Sequence, residues 1–351
     1  MNDLIGVELF SGAGGMSLGA MQAGIEIQLA VEVNCYAAAT FASNIRNATV
    51  VVDDIKNIKE FKLKKKAPII LFGGPPCQGF SSSNQKTRTV ENHQNWLFKE
   101  FMRCAKLIMP DWIVIENVRG LVEMQKGYFL NKVIKDLNRL GYTINYRVLN
   151  ATAFGVPQKR ERVFIVASLH SIAFCFPVPL IHSPITVKDA ISDLPDLANG
   201  DMVYKKDYKC LPNSDYSKKM RGNKKKSINN YVTKNSELVI KRYKHIPQGG
   251  NWANIPLRLM KNYEDRTRCH HGIYRRLSED EPSIVIGNYR KNMLIHPTQD
   301  RGLSVREAAR LQSFPDWFEF KGPLISQQQQ VGDAVPPVLA EAVFKGIIEL
   351  S

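Results

Sequence analysis

The chain has no paired cysteines. Its six, at 35, 77, 104, 175, 210 and 269, include no C-x-x-C spacing and no tight framework, which argues against a zinc ribbon and against a disulfide scaffold. Reduced thiols are the expectation, and no metal is expected. Long hydrophobic runs are missing too: the most apolar stretch, 173–181, is short and broken by Pro177 and Pro179, too little to span a bilayer. The first ten residues, MNDLIGVELF, lack a basic leader and a cleavage pattern, so a cytoplasmic protein with no membrane partner is expected. What the chain does have is 351 residues at 44% hydrophobic content, enough for a sizeable core in one large domain or two unequal ones.

Acidic residues are scarce in one place. Residues 201–276 hold 19 Lys and Arg against 6 Asp and Glu, so 13 of the chain's net +15 falls in that block. A surplus this local reads as an electrostatic footprint for a polyanion. Tyr231, Tyr243, Trp252, Tyr263 and Tyr274 are interleaved with Arg258, Arg266, Arg268, Arg275 and Arg276, which favours nucleic acid over a solvated lysine-rich loop.

The first 170 residues alternate short apolar runs with longer amphipathic ones, the pattern of repeated strand–helix units on a parallel sheet. Strands are expected at 5–10, 27–33, 69–72, 112–116, 142–149 and 163–168, and helices at 15–23, 36–44, 96–109 and 129–140. From about 177, proline, lysine and asparagine at irregular spacing replace this alternation, and regular helix returns only at 304–312 and 337–349. The expected organisation is a sheet domain made of 1–182 plus 326–351, with 183–325 as a second, smaller one.

Three stretches carry chemistry. FSGAGG, at 10–15, follows the first strand and opens a helix, where main-chain amides and the helix dipole can approach a ligand closely. The dinucleotide fingerprint is broken, because Ser17 stands at the third glycine position of G-x-G-x-x-G, and this disfavours a nicotinamide oxidoreductase. Glu32 ends the second strand 20 residues after Gly12, about where an acid that binds ribose hydroxyls sits in nucleotide folds. Asp54 follows the apolar run 49–52 and could receive an adenine amino group or be a solvated turn acid. Together these imply an adenosine cofactor without a committed pyrophosphate site.

LFGGPPCQGFSSS, at 71–83, sets Cys77 just past the carboxyl end of a short strand, where open α/β sheets keep their ligands. Pro75 and Pro76 stiffen the chain before it. Glu116, in WIVIENV, ends the fourth strand and can reach the same edge. In QKRER, at 158–162, strand alternation would aim Gln158, Arg160 and Arg162 at one face. A thiol, a carboxyl and two arginines around a cofactor loop make a candidate catalytic constellation.

FSGAGG, Glu32, Asp54 with Ile55, PPCQ, ENV, QKRER, REAARLQSFPD at 306–316 and VGDAVPP at 331–337 resemble, in order and spacing, the bacterial DNA (cytosine-5-)-methyltransferases. The resemblance implies a Rossmann-like methyltransferase sheet domain with a smaller, irregular target-recognition domain between QKRER and REAARLQ. It implies S-adenosylmethionine as cofactor and S-adenosylhomocysteine as product, with Phe10, Gly12, Gly14, Glu32, Val33, Asp54, Ile55, Pro76, Leu97 and Asp333 at their site. Asp333 departs from the pattern: the family has asparagine there, so a carboxylate replaces an amide donor. The implied catalytic residues are Cys77 as nucleophile, Glu116, Arg160 and Arg162. The implied partners are double-stranded DNA, touched by Gln78 and Ser81, and a cognate restriction endonuclease; a monomer is expected. Arg266, Arg268, Arg275 and Arg276 are the candidates for reading bases, with phosphate contact as their alternative role, because they cluster in a segment too polar to be core. The rival readings are a DNA-binding module without activity and a tRNA cytosine-5 methyltransferase of the same fold.

Overall fold

The computed structural model describes residues 4–63, 67–76, 97–123, 127–179, 183–263, 272–287, 289–291 and 293–350. Residues Met1–Phe154, Arg160–Leu180 and Val335–Ser351 make one compact unit, and Gly155–Lys159 with Ile181–Ala334 make the other.

The first unit is built on a seven-stranded sheet: β1 (Ile5–Leu9), β2 (Glu26–Val31), β3 (Thr49–Val51), β4 (Ile69–Gly73), β5 (Trp112–Val118), β6 (Thr143–Asn150) and β7 (Glu161–Ser168), in the order β3-β2-β1-β4-β5-β7-β6. The central strands are buried along nearly their whole length, which explains why they read as continuous apolar runs rather than alternations. Between them run α1 (Gly15–Gln22), α2 (Cys35–Asn44), α3 (Leu97–Ile108), α4 (Gly120–Glu123) and α5 (Tyr128–Arg139). The apolar faces of α3 and α5, with Phe101, Cys104, Val133 and Leu137, pack on Val7, Leu71, Ile113 and Ile165 of the sheet.

The sequence suggests a parallel sheet throughout. The structure corrects this at β7, which pairs antiparallel with both β5 and β6. The reason is length: the link from Asn150 to Glu161 falls short of the dozen or so residues plus helix that a parallel crossover needs, so the chain doubles back.

The second unit holds α6 (Val187–Ile191), β8 (Met202–Asp207), α7 (Asp215–Arg221), β9 (Lys226–Tyr231), α8 (Glu237–Tyr243), α9 (Val305–Leu311) and α10 (Leu324–Asp333), with β8 and β9 forming an antiparallel pair. Much of it is irregular, so many main-chain carbonyls are buried without a ladder partner, and arginines satisfy them. Arg306 donates to the carbonyls of Ile228, Pro315 and Phe318. Arg310 holds Asp193 and Asp316 through three bonds of 2.7 Å, and Arg301 grips Glu307 in a fork at 2.6 and 2.9 Å. Ser304 and Glu307 cap α9 reciprocally. The chain returns to the first unit at Val335, later than the 326 read from the sequence, and α11 (Pro337–Ile348) lays Phe344 edge-on against Phe72 of β4.

β1 and β4 run close together at their carboxyl ends. A Cβ on Gly73 would stand 2.0 Å from the carbonyl oxygen of Leu9, so only glycine lets the two strand ends run side by side. Gly73→Ala should therefore cost about 1–3 kcal/mol by forcing the backbones apart. Chemical denaturation measures this, and an unchanged midpoint would show that the strand ends separate freely.

Candidate active site

The loop after β1 is wound through left-handed backbone. Phe10 has φ 56°, Gly12 φ 53° and Gly14 φ 93°. For Phe10 that conformation costs on the order of 1–3 kcal/mol, and such outliers concentrate at ligand sites. Gly14 has a second reason to lack a side chain, since a Cβ would meet the Phe41 ring at 2.8 Å, whereas the space beside Gly12 is open. Glu32, just past β2, ties this loop down: its Oε2 accepts from the amide of Gly12 at 2.7 Å and its Oε1 from that of Asn34 at 2.8 Å. Next to it Val33 is 68% exposed. Asp54 caps the short helix Ile55–Asn57 by accepting from the Lys56 amide at 3.0 Å, while Ile55 is buried in the sheet core. Leu97 opens α3, half-buried against the same core.

Glu116 lies at the carboxyl end of β5. Its Oε1 pairs with Nε of Arg162 at 2.9 Å, both side chains being largely buried. Register explains the meeting: Glu116 faces Phe164 and Val118 faces Arg162, so the pair is a diagonal one across antiparallel strands. The second carboxyl oxygen of Glu116 lies against Gly74, at the start of the loop that leads to Cys77. Burial pushes the Glu116 carboxyl above the usual range, and Arg162 and Arg160 pull it partly back. Arg160, only 1% exposed, precedes β7, and its carbonyl accepts from the Ala151 amide. Asn117, the middle residue of ENV, escapes the sequence reading. Its Nδ2 donates to the carbonyl of Pro75 at 3.0 Å, bracing the loop that Pro76 continues.

Several candidates fall elsewhere. Cys77, Gln78, Ser81, Arg266 and Arg268 lie outside the described residues. The expected common face for Gln158, Arg160 and Arg162 does not form, because β7 begins only at Glu161 and Gln158 packs inside the second unit. Asp333 ends α10, exposed, and both its oxygens accept from Nε2 of Gln329. Arg275 is half-buried in the second unit. Arg276 is a correction to the sequence reading. It is 5% exposed, and its five N–H donors go to the carbonyls of Tyr243, Ile246, His296 and Gln299 and to Asp300, leaving none for a base. Its neighbour Tyr274 is fully buried, so the segment is core despite its polarity.

The first unit is a Rossmann-like methyltransferase sheet whose one reversed strand brings Arg162 to Glu116 of β5 at the carboxyl edge. The chain belongs to the C-5 cytosine-specific DNA methylase family, whose model matches residues 4–349. It is 35% identical to the Type II methyltransferase M1.HphI of Haemophilus parahaemolyticus, covering 98% of this chain and 87% of that protein. It is also 35% identical to M.Eco47II of Escherichia coli, with 98% and 78% covered. A solved structure assigned as a DNA modification methyltransferase encoded within an E. coli prophage superposes with a TM-score of 0.80 at 27% identity, covering 99% of both chains. The enzyme is a DNA (cytosine-5-)-methyltransferase.

Beneath the glycine loop the structure adds an unexpected carboxyl. Glu8 of β1 is 2% exposed and accepts from the Ser17 hydroxyl on α1. Burial holds its proton up to about pH 8, with the Glu32 charge adding to the effect and the Ser17 bond opposing it, whereas the ordinary value is 4.5. The folded state therefore binds more protons than the unfolded chain between those values, and stability falls as pH rises through that window, by up to about 1.4 kcal/mol per unit. Glu8→Gln should remove that contribution and flatten the slope between about pH 5 and about pH 8. Denaturant titrations across the range check it; an unaltered slope would mean that Glu8 is ionised in the folded protein.

Proposed function

We propose that this enzyme transfers a methyl group from S-adenosylmethionine to carbon 5 of a flipped-out cytosine in a specific duplex sequence, as the modification member of a restriction–modification system. The observation that carries the reading is the Glu116–Arg162 pair beside the loop that leads to Cys77, in a chain matched almost end to end by the family model. Carbon 5 of cytosine is a weak nucleophile until a nucleophile adds to carbon 6 and breaks the aromaticity. Cys77 supplies that nucleophile as a thiolate. Glu116, whose carboxyl is pushed above the usual range by burial, donates to ring nitrogen 3 as charge builds on the ring. Arg160 faces the ring's carbonyl oxygen, and Arg162 holds Glu116 in place. Loss of the carbon 5 proton then expels Cys77. Attack from above the ring plane requires the base to leave the stack, at a cost of a few kcal/mol.

The cofactor supplies an electrophilic methyl group on a sulfonium. The residues fit it: Ser11 Oγ, in the glycine loop, is a buried hydroxyl with no partner among the described residues. The Glu32 carboxylate accepts two main-chain bonds and has lone pairs left for ribose hydroxyls, and Val33 presents an apolar face to an adenine. Methylation of DNA in cells expressing the chain, mapped by bisulfite sequencing, tests the activity. Cys77→Ser should abolish transfer while DNA binding persists, because an alkoxide is far harder to form than a thiolate. A target cytosine carrying fluorine at carbon 5 should trap a covalent adduct that requires both Cys77 and cofactor. Turnover by the serine variant, or no adduct by intact mass, would sink the covalent route.

The second unit would read the sequence, with Arg266, Arg268 and Arg275 still candidates for base contacts. Its phosphate contacts fall to lysines. Lys205 and Ile228 face each other across β8 and β9, and with Lys224, Lys225, Lys226 and Asp316 they line a recess of about 330 Å³. Asp316 is already neutralised by Arg310, and Lys226 pairs with Asp207. Lys205, Lys224 and Lys225 have no acidic partner among the described residues. Replacing Lys224 and Lys225 by alanine should weaken binding to all duplexes alike and lower the logarithmic salt slope by about 1.8, at about 0.9 per phosphate lost. Anisotropy titrations at several salt concentrations measure it, and an unchanged slope would place the phosphates elsewhere.

A further inference from the structure

Gln158 is the first residue of QKRER, and it lies in a different packing environment from the two arginines that follow. Its side chain is fully buried in the second unit, with both N–H donors and the carbonyl oxygen engaged. Nε2 donates to Oε1 of Gln312 at 2.8 Å and to the carbonyl of Leu311 at 3.2 Å, and Oε1 accepts from the Ile286 amide at 2.9 Å. Gln312, also fully buried, passes the link on by donating to the carbonyl of Val331 at 2.7 Å. Two amides therefore join four separate stretches of chain: 158–159, 286, the end of α9 and the end of α10.

The main chain on either side of Gln158 is pinned as well. The Ser283 amide donates to the carbonyl of Pro157 at 2.9 Å, and the Lys159 amide donates to the carbonyl of Ser283 at 2.8 Å. Arg160 is the next residue along. A buried amide pair with every donor and acceptor engaged has one low-energy arrangement, because any shift leaves a desolvated polar group unpaired.

We infer that Gln158 is a positioning residue for Arg160: the Gln158–Gln312 relay fixes the chain at Lys159, and so fixes where the Arg160 guanidinium is delivered. The inference rests on the reading of Arg160 as the group that faces the target base. It gives QKRER a division of labour, with Gln158 locked into the unit that would recognise DNA and Arg160 committed to chemistry one peptide bond beyond Lys159. A displacement of even an ångström at a group aligned for a transition state can cost about a hundredfold in rate.

The test is a cycle of variants in the full-length enzyme: Gln158→Met, Arg160→Ala and the two combined. The readout is single-turnover transfer of labelled methyl from S-adenosylmethionine to unmethylated duplex DNA carrying the target site. Gln158→Met keeps the shape and removes the bonds. It should slow transfer by about tenfold to a hundredfold with cofactor and DNA affinities little changed, and should add no further loss to Arg160→Ala. If Gln158→Met does not fold, Gln312→Met cuts the relay from its other side and should show the same lack of additivity. A normal rate in the glutamine variants, or losses that add to that of Arg160→Ala, would overturn the inference. A normal rate for Arg160→Ala itself would instead sink the reading of Arg160, and the positioning role with it.

Discussion

One reversed strand decides which side chains meet at the carboxyl edge of the sheet. Because β7 runs antiparallel to β5, its first residues lie at the same sheet edge as the last residues of β5, and Arg162 meets Glu116 there. A parallel β7 of the same eight residues would carry Arg162 toward the opposite edge, about 17 Å away at about 3.3 Å per residue. Glu116 would then be a buried carboxyl with one guanidinium fewer to hold it, and burial alone would drive it further toward the neutral form. The pair sets a compromise. Burial pushes the Glu116 carboxyl up, and the guanidinium limits how far.

The cofactor side of the edge shows a similar balance. A left-handed Phe10 costs on the order of 1–3 kcal/mol, and one hydrogen bond to a charged acceptor contributes about 1.5–3 kcal/mol. Glu32 makes two such bonds to main-chain amides, one of them to Gly12 within the strained loop. The magnitudes are comparable, so the strained turn is held by the same carboxylate that has lone pairs left over for a ligand. Gly73 completes the arrangement by letting β1 and β4 end side by side, so the glycine loop and the chain at 74–76 leave the sheet from neighbouring strand ends.

How much of this was legible in the sequence depended on whether the signal was local. FSGAGG, the buried runs that became β1, β4 and β5, and the placing of Glu116 at a strand end are properties of a few adjacent residues, and the elements fell within a residue or two of expectation. The direction of β7 depends on linker length, and the partner of Gln158 lies more than 150 residues away, so neither showed in a local pattern. The second unit was the least readable. Its order comes from guanidinium–carbonyl contacts and not from apolar periodicity, and a basic sequence therefore passed for a basic surface. Arg276 counted as a base reader because its segment looked too polar to be core, yet every donor it has points inward.

Arginine and lysine have divided the second unit between them on physical grounds. A guanidinium offers five donors in a rigid plane and is weakly hydrated, so it can be buried against several carbonyls; an ammonium is strongly hydrated and stays out. Arg242, Arg276, Arg301, Arg306 and Arg310 are accordingly interior, while Lys205, Lys224 and Lys225 are exposed. The positive surface among the described residues is thus smaller than the raw surplus of charge, with Lys205, Lys224, Lys225 and Arg258 exposed on it. The interior choice has a consequence for the surface of the second unit. Four of the five bonds from Arg276, and the shortest from Arg306, go to main-chain carbonyls, which every residue possesses. The loops are held by their backbones, so the side chains they display can change with little cost to the fold. A surface built this way can be rewritten from outside while the arginines within keep its shape.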